Sequence, residues 1–180
     1  MPDAIEARMH RLVRFGAAAG VLGGLLRIAS GFVPYQPEQA WLEALYGVID
    51  VCLLFGLLGF YLASAEKLGV AGMALFAVAL AGLASIVGPD AQMFGVDFYR
   101  VGALVFLVGL AGLSVQMLLK RQLVASAWLW IAALASSLAG AALQAPLGIL
   151  GAGMLLGAGY VLAGLMILRP RIVEKQMAAA

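Results

Sequence analysis

Residues Trp41 to Ala63 read WLEALYGVIDVCLLFGLLGFYLA. The run is long and apolar enough to cross a bilayer, which takes about 20 residues. Yet it carries a carboxylate, Asp50, well inside. A charge at that depth costs at least about 2.5 kcal/mol, so it normally has a partner and a purpose. Only one other charge lies comparably deep: Arg27, on the apolar run just before. These two runs organise the reading of the whole chain.

The 180 residues are 64% hydrophobic and 11% charged, and the mean hydropathy is +1.05. A soluble domain is about 25% charged. The apolar residues come in long runs and not at amphipathic spacing, which is the membrane signature. The 23 glycines then suit helices packed closely through small faces. The first residues, MPDAIEARMHRLVRF, are acidic, then basic, then apolar. No small-residue cleavage site follows a short hydrophobic region, so the first run reads as a retained span.

Punctuation divides the chain into six expected spans, at about 11–33, 41–64, 68–87, 98–119, 123–143 and 147–168, in one integral membrane domain covering 1–180. The separators are Pro34-Tyr-Gln-Pro37, Ala65-Glu66-Lys67, Gly88-Pro89-Asp90 with a loop to Asp97, Lys120-Arg121, and Gln144-Ala-Pro146. Proline pairs and Gly-Pro cannot continue a regular helix. Continuous runs favour helices over a barrel, whose strands alternate. The expected fold is all-α: a polytopic membrane protein with a six-transmembrane-helix bundle.

Six spans place nine of the eleven basic residues on one side: Arg8, Arg11, Arg14, Lys67, Lys120, Arg121, Arg169, Arg171 and Lys175. Glu38, Glu43, Asp90 and Asp97 fall on the other. The positive-inside rule then puts both termini in the cytoplasm. The expected location is a plasma (inner) membrane of the bacterial type. Tyr35, Trp41 and Tyr99 fit an interfacial aromatic belt, and Trp128 and Trp130 read as anchors at the opposite interface.

Three hairpins of this kind show partial self-similarity. Tyr46-Gly47-Val48 and Tyr99-Arg100-Val101 open two spans 53 residues apart, and Gly56/Gly109 and Gly59/Gly112 keep that offset. Repeated helical hairpins are one explanation. Coincidence in a chain rich in Ala, Gly and Leu is the other.

The candidate chemistry lies in the outer half. At 1.5 Å per residue, Arg27 is about 9 Å in from the outer end of its span and Asp50 about 13 Å. An arginine, always charged and forked, suits a carboxylate in a medium of low dielectric. Gly16, Gly20, Gly23, Gly24, Arg27 and Gly31 form a small stripe on the first span, and the polar stripe of Glu43, Tyr46 and Asp50 is expected to face it. The expected ligand-binding residues are Arg27, Glu43, Tyr46 and Asp50, with Asp97, Tyr99 and Arg100 at the cavity mouth. A purely structural Arg27–Asp50 salt bridge is the competing account, and a solvated ion pair is the simpler one for Asp97 and Arg100.

With one histidine, His10, and one cysteine, Cys52, haem and His/Cys metal sites are set aside, and no cofactor is expected. Cys52 reads as a small buried hydrophobe. Ser126, Ser136 and Ser137 are expected to bond back to their own helix. Phosphate loops and nucleophile elbows are absent, and the short loops leave no surface for nucleic acid.

Three functions follow. The first is a small integral membrane protein that binds or translocates a small solute or ion through a polar cavity in the outer half. The second is a non-catalytic subunit or sensor partner that docks another membrane protein, or a second copy, through its Gly-rich faces. An intramembrane enzyme acting on lipid is the third, for which no nucleophile and base can be named.

Overall fold

Runs of Leu, Val, Ala and Gly surrounded by lipid must satisfy their backbone groups internally, and helices do so within one segment. The computed structural model of the chain describes residues 2–33, 39–87, 92–93 and 96–169. It forms α1 (Pro2–Ser30), α2 (Ala40–Ile86), α3 (Phe98–Leu119), α4 (Val124–Ala142) and α5 (Pro146–Leu168). All five are long and apolar enough to cross a membrane, which marks the chain as an all-α, multi-pass integral membrane protein. Helix α1 begins at Pro2 and not near Arg11, because proline suits a first helical turn and the charged residues after it extend the helix. The proposed turns at 34–37 and 88–90 lie outside the described residues, as do Tyr35, Glu38, Arg171 and Lys175. In the loop before α3, Gln92–Met93 and Val96–Asp97 pair as a two-stranded antiparallel ribbon.

Helix α2 holds two of the expected spans. Its 47 residues would reach about 70 Å if straight, more than twice the hydrocarbon thickness. It is broken at Gly69, whose φ of 61° and ψ of −161° are non-helical. The chain reverses there: Tyr61 and Phe76, on either side of the break, stack with centroids 4.1 Å apart and planes 10° from parallel. Residues 40–68 and 70–86 are therefore two antiparallel arms. The connection expected at Ala65-Glu66-Lys67 is helical instead. Its charged side chains turn outward without interrupting the helix, and the backbone breaks only where glycine permits it.

That conformation is open essentially to glycine alone and costs other residues about 1–3 kcal/mol. A Cβ added at Gly69 meets nothing within 4 Å, so packing cannot mask the effect. Gly69→Ala is expected to lower stability by about 1–3 kcal/mol, read as a fall in thermal midpoint in detergent. An unchanged midpoint would remove Gly69 as the reason for the turn.

Glycines set the helix contacts. A Cβ on Gly16 would stand 2.7 Å from the Cα of Gly59, one on Gly20 3.2 Å from the Cα of Gly56, and one on Gly23 2.8 Å from the Cβ of Cys52. This is the seam between α1 and the first arm. Next to it, Gly24 meets the carbonyl of Gly157, and Gly31 lies against Leu150, on α5. The small stripe of α1 is thus two seams, not one. Its partner on α2 is Cys52, Gly56 and Gly59, and not the polar stripe. Backbones approach this closely only where both faces are small.

Further pairs are Gly82 on Phe106 and Gly109 on Ala79, between the second arm and α3, and Gly140 on Gly148, between α4 and α5. With α3 against α4, the arms and helices close a ring in which neighbours run antiparallel. Phe60, Trp130 and Tyr160 meet inside it, each 0% exposed. Their ring centroids lie 5.2 to 5.9 Å apart. Trp130 is therefore no interfacial anchor. Trp128, two positions away and on a different face, is 60% exposed. The outer surface carries large apolar side chains such as Leu22, Val48, Val70, Val115 and Leu162.

Three buried polar atoms have no hydrogen-bond partner among the described residues: Ser126 Oγ, Trp130 Nε1 and Tyr160 Oη. Each unmet buried group costs about 1–3 kcal/mol. The expected back-bonding of the α4 serines is not what they do. Ser136 Oγ donates across to the Gly148 carbonyl of α5 at 2.8 Å, and Ser137 faces a cavity.

Candidate functional site

The centre of the ring is open at the end where α1 and α4 finish and the first arm, α3 and α5 begin. A cavity of about 130 Å³ lies there. Arg27 comes from α1, Asp50 from the first arm, Ile86 from the second arm, Tyr99 from α3, Ser137 from α4 and Gly153 from α5. Leu53, Phe106 and Leu156 form apolar walls below the polar groups. The volume is close to that of an engineered cavity of about 150 Å³ that accepts benzene. A solute of a few heavy atoms, or several waters, fits.

Helix geometry places each polar group. Arg27 follows Gly23 by one turn, so the seam that holds α1 against its neighbours also aims the arginine inward. Ser30 Oγ donates to the Arg27 carbonyl at 2.9 Å, easing the end of α1. The guanidinium carbon lies 5.9 Å from the centroid of the Tyr46 ring, a cation–π distance. Its planar head lies along α5 at Gly153, where an added Cβ would stand 3.4 Å from Nε and 3.5 Å from Nη2. Tyr99 lines the same cavity. Asp50 is 9% exposed, on the side of the first arm that faces the cavity.

Arg27 and Asp50 line the same cavity, but they form no direct ion pair. Among the described residues the salt bridge formed is Arg100 Nε to Asp97 Oδ2, at 2.9 Å. A contact salt bridge would neutralise both groups in place. Unpaired in the wall of one cavity, they offer a cation and a carboxylate to whatever enters.

The remaining expected site residues separate into two groups. Tyr46 and Tyr99 join Arg27. Glu43 is exposed in the first turn of α2 and does not line the cavity. Its charge there complements the helix dipole. Asp97 caps α3, accepting from the Arg100 backbone N–H at 3.0 Å. The Arg100 side chain is 86% exposed. Together they are a solvated cap, worth about 0.5–2 kcal/mol to the helix.

Sequence reasoning missed Ser137 and Gly153. Gly153 belongs to Gly153-x-x-x-Gly157, a spacing that signals helix contact. Only Gly157 uses it so; Gly153 clears room for a guanidinium. Among the described residues, no three His, Cys, Asp or Glu side chains gather as metal ligands. Comparison with protein-family models, curated proteins and solved structures gives no match to any of them.

Proposed function

We propose that this chain is a six-span integral membrane protein, with its termini on the cytoplasmic side, that binds or translocates a small solute or ion through the cavity lined by Arg27 and Asp50. The observation that carries this reading is that the half-buried Arg27 and the buried Asp50 line one cavity without pairing. The two apolar arms of α2, the second about the minimum length for a crossing, support six crossings. The exposed basic residues Arg8, Arg11, Arg14, Lys67, Lys120, Arg121 and Arg169 gather at the end of the ring away from the cavity. That end is cytoplasmic under the positive-inside rule.

In this mechanism Arg27 fixes a negative group, and Tyr99 lines the same cavity. Asp50 holds a cation, an ammonium group or a proton. The apolar walls limit size. The docking alternative has less support, because most glycines it would use are occupied by contacts within the chain.

The test is a set of thermal midpoints in detergent with acetate, glycine, β-alanine or sodium ion added. A ligand at 100 times its Kd adds about 2.7 kcal/mol of stability. At least one probe is expected to raise the midpoint of the parent by several degrees and to leave folded Asp50→Asn unmoved. Gly153→Ala should keep the response, since its methyl only touches Arg27. Gly153→Leu should lose it by displacing the guanidinium. No shift with any probe, or equal shifts in parent and Asp50→Asn, would overturn the reading.

A further inference from the structure

Below the cavity lie the three unpartnered polar atoms, and their positions follow an order. Tyr160 is one turn beyond Leu156, a wall of the cavity. Helical side chains lean toward their own N-terminus, and α5 begins at the cavity end, so Tyr160 leans toward Asp50. Its ring packs against Gly56 of the first arm, on the same helix as Asp50. The Trp130 and Tyr160 rings are 5.5 Å apart, and Gly159 lets the indole nitrogen lie against α5. Ser126 is one turn from Trp130 on the same face of α4. It is only two residues into that helix, next to the polar turn at Lys120, Arg121 and Gln122.

All three side chains are 0% exposed and lack partners among the described residues. By contrast, Ser30, Ser85 and Ser114 bond back to their own helices. Buried polar groups without protein partners are generally met by ordered water.

We propose that Tyr160, Trp130 and Ser126 hold a file of water linking Asp50 to the basic end of the bundle, so that the species moved through the protein includes a proton. This rests on the functional reading of the Asp50 cavity. A hydronium ion in the cavity gives its proton to the Asp50 carboxylate, leaving water, and the proton passes on to the first water of the file. The Tyr160 and Ser126 hydroxyls each accept one proton and release another, and the indole, a donor only, fixes a water in place. Ser126 releases the last proton to water at the polar turn, Asp50 is again a carboxylate in the cavity with Arg27 and Tyr99, and one proton has moved.

The experiment uses the full chain in liposomes loaded with a pH-sensitive dye, under a potassium diffusion potential. Proton flux above that of protein-free liposomes is expected. Tyr160→Phe and Ser126→Ala should each lower it by about tenfold or more, because each removes a hydroxyl that relays the proton. Both should keep the parent's thermal midpoint or exceed it, and both should keep the probe-induced shift at the outer cavity. No flux from the parent, or parent-like flux from both variants, overturns the water file. The outer-cavity reading is judged separately, by the thermal shifts.

Discussion

Gly16→Leu is expected to leave no stably folded protein in detergent. A Cβ at this position already stands 2.6 Å from the Phe55 carbonyl oxygen and 2.7 Å from the Gly59 Cα. These are backbone atoms, so no rotamer change can relieve the clash. The only response is to move α1 away from the first arm, which also opens the Gly20–Gly56 and Gly23–Cys52 contacts along the same seam. Overpacking in a core costs about 1–3 kcal/mol, and a rigid backbone wall puts leucine at or above the upper end.

Alanine is the informative intermediate. In a helix it gains up to about 1 kcal/mol over glycine, so Gly16→Ala sets that gain against one misplaced methyl and should still be net destabilising. Gly47 gives the matched control, since an added Cβ there meets nothing within 4 Å. Gly47→Ala should be stabilised by up to about 1 kcal/mol. Cys52 sits in the seam and is the chain's lone cysteine, so its modification by a fluorogenic maleimide on heating reports the opening directly. A Gly16→Leu protein that unfolds with the parent would mean that the seam does not hold the bundle.

The seams explain what could be read from the residues. Hydrophobic runs fix where a chain crosses, and α3 runs from Phe98 to Leu119 as expected because Asp97 caps one end and a polar turn closes the other. Asp50 and Arg27 were legible because their surroundings are so apolar. The break in α2 falls two residues beyond the charged triplet at 65–67, since charge marks water whereas a reversal needs a backbone conformation. Trp130 was misassigned because span position alone does not say which face a residue occupies. Glu43 was assigned to the cavity by its stripe, but it is one turn too near the surface.

Replacing both Arg27 and Asp50 by leucine is expected to give a protein at least as stable as the parent and without function. A buried ion pair in direct contact shows a recognisable pattern: removing one partner costs about 3–5 kcal/mol, and removing both restores much of the loss. Here the charges line, without pairing, a cavity that can hold water, so each keeps some solvation when the other is removed. Arg27→Leu and Asp50→Leu should therefore each cost less than that range, with a coupling energy below about 1 kcal/mol in the double-mutant cycle. The double variant also converts a polar cavity to an apolar one in an apolar bundle, which favours folding. Stability and activity should then move in opposite directions, as they do where a site is maintained against the preferences of the fold. Thermal midpoints give the cycle, and the probe-induced shift gives the function. A coupling of about 3 kcal/mol or more, together with a double variant that still responds to the probes, would make the two charges structural and leave the cavity without its proposed role.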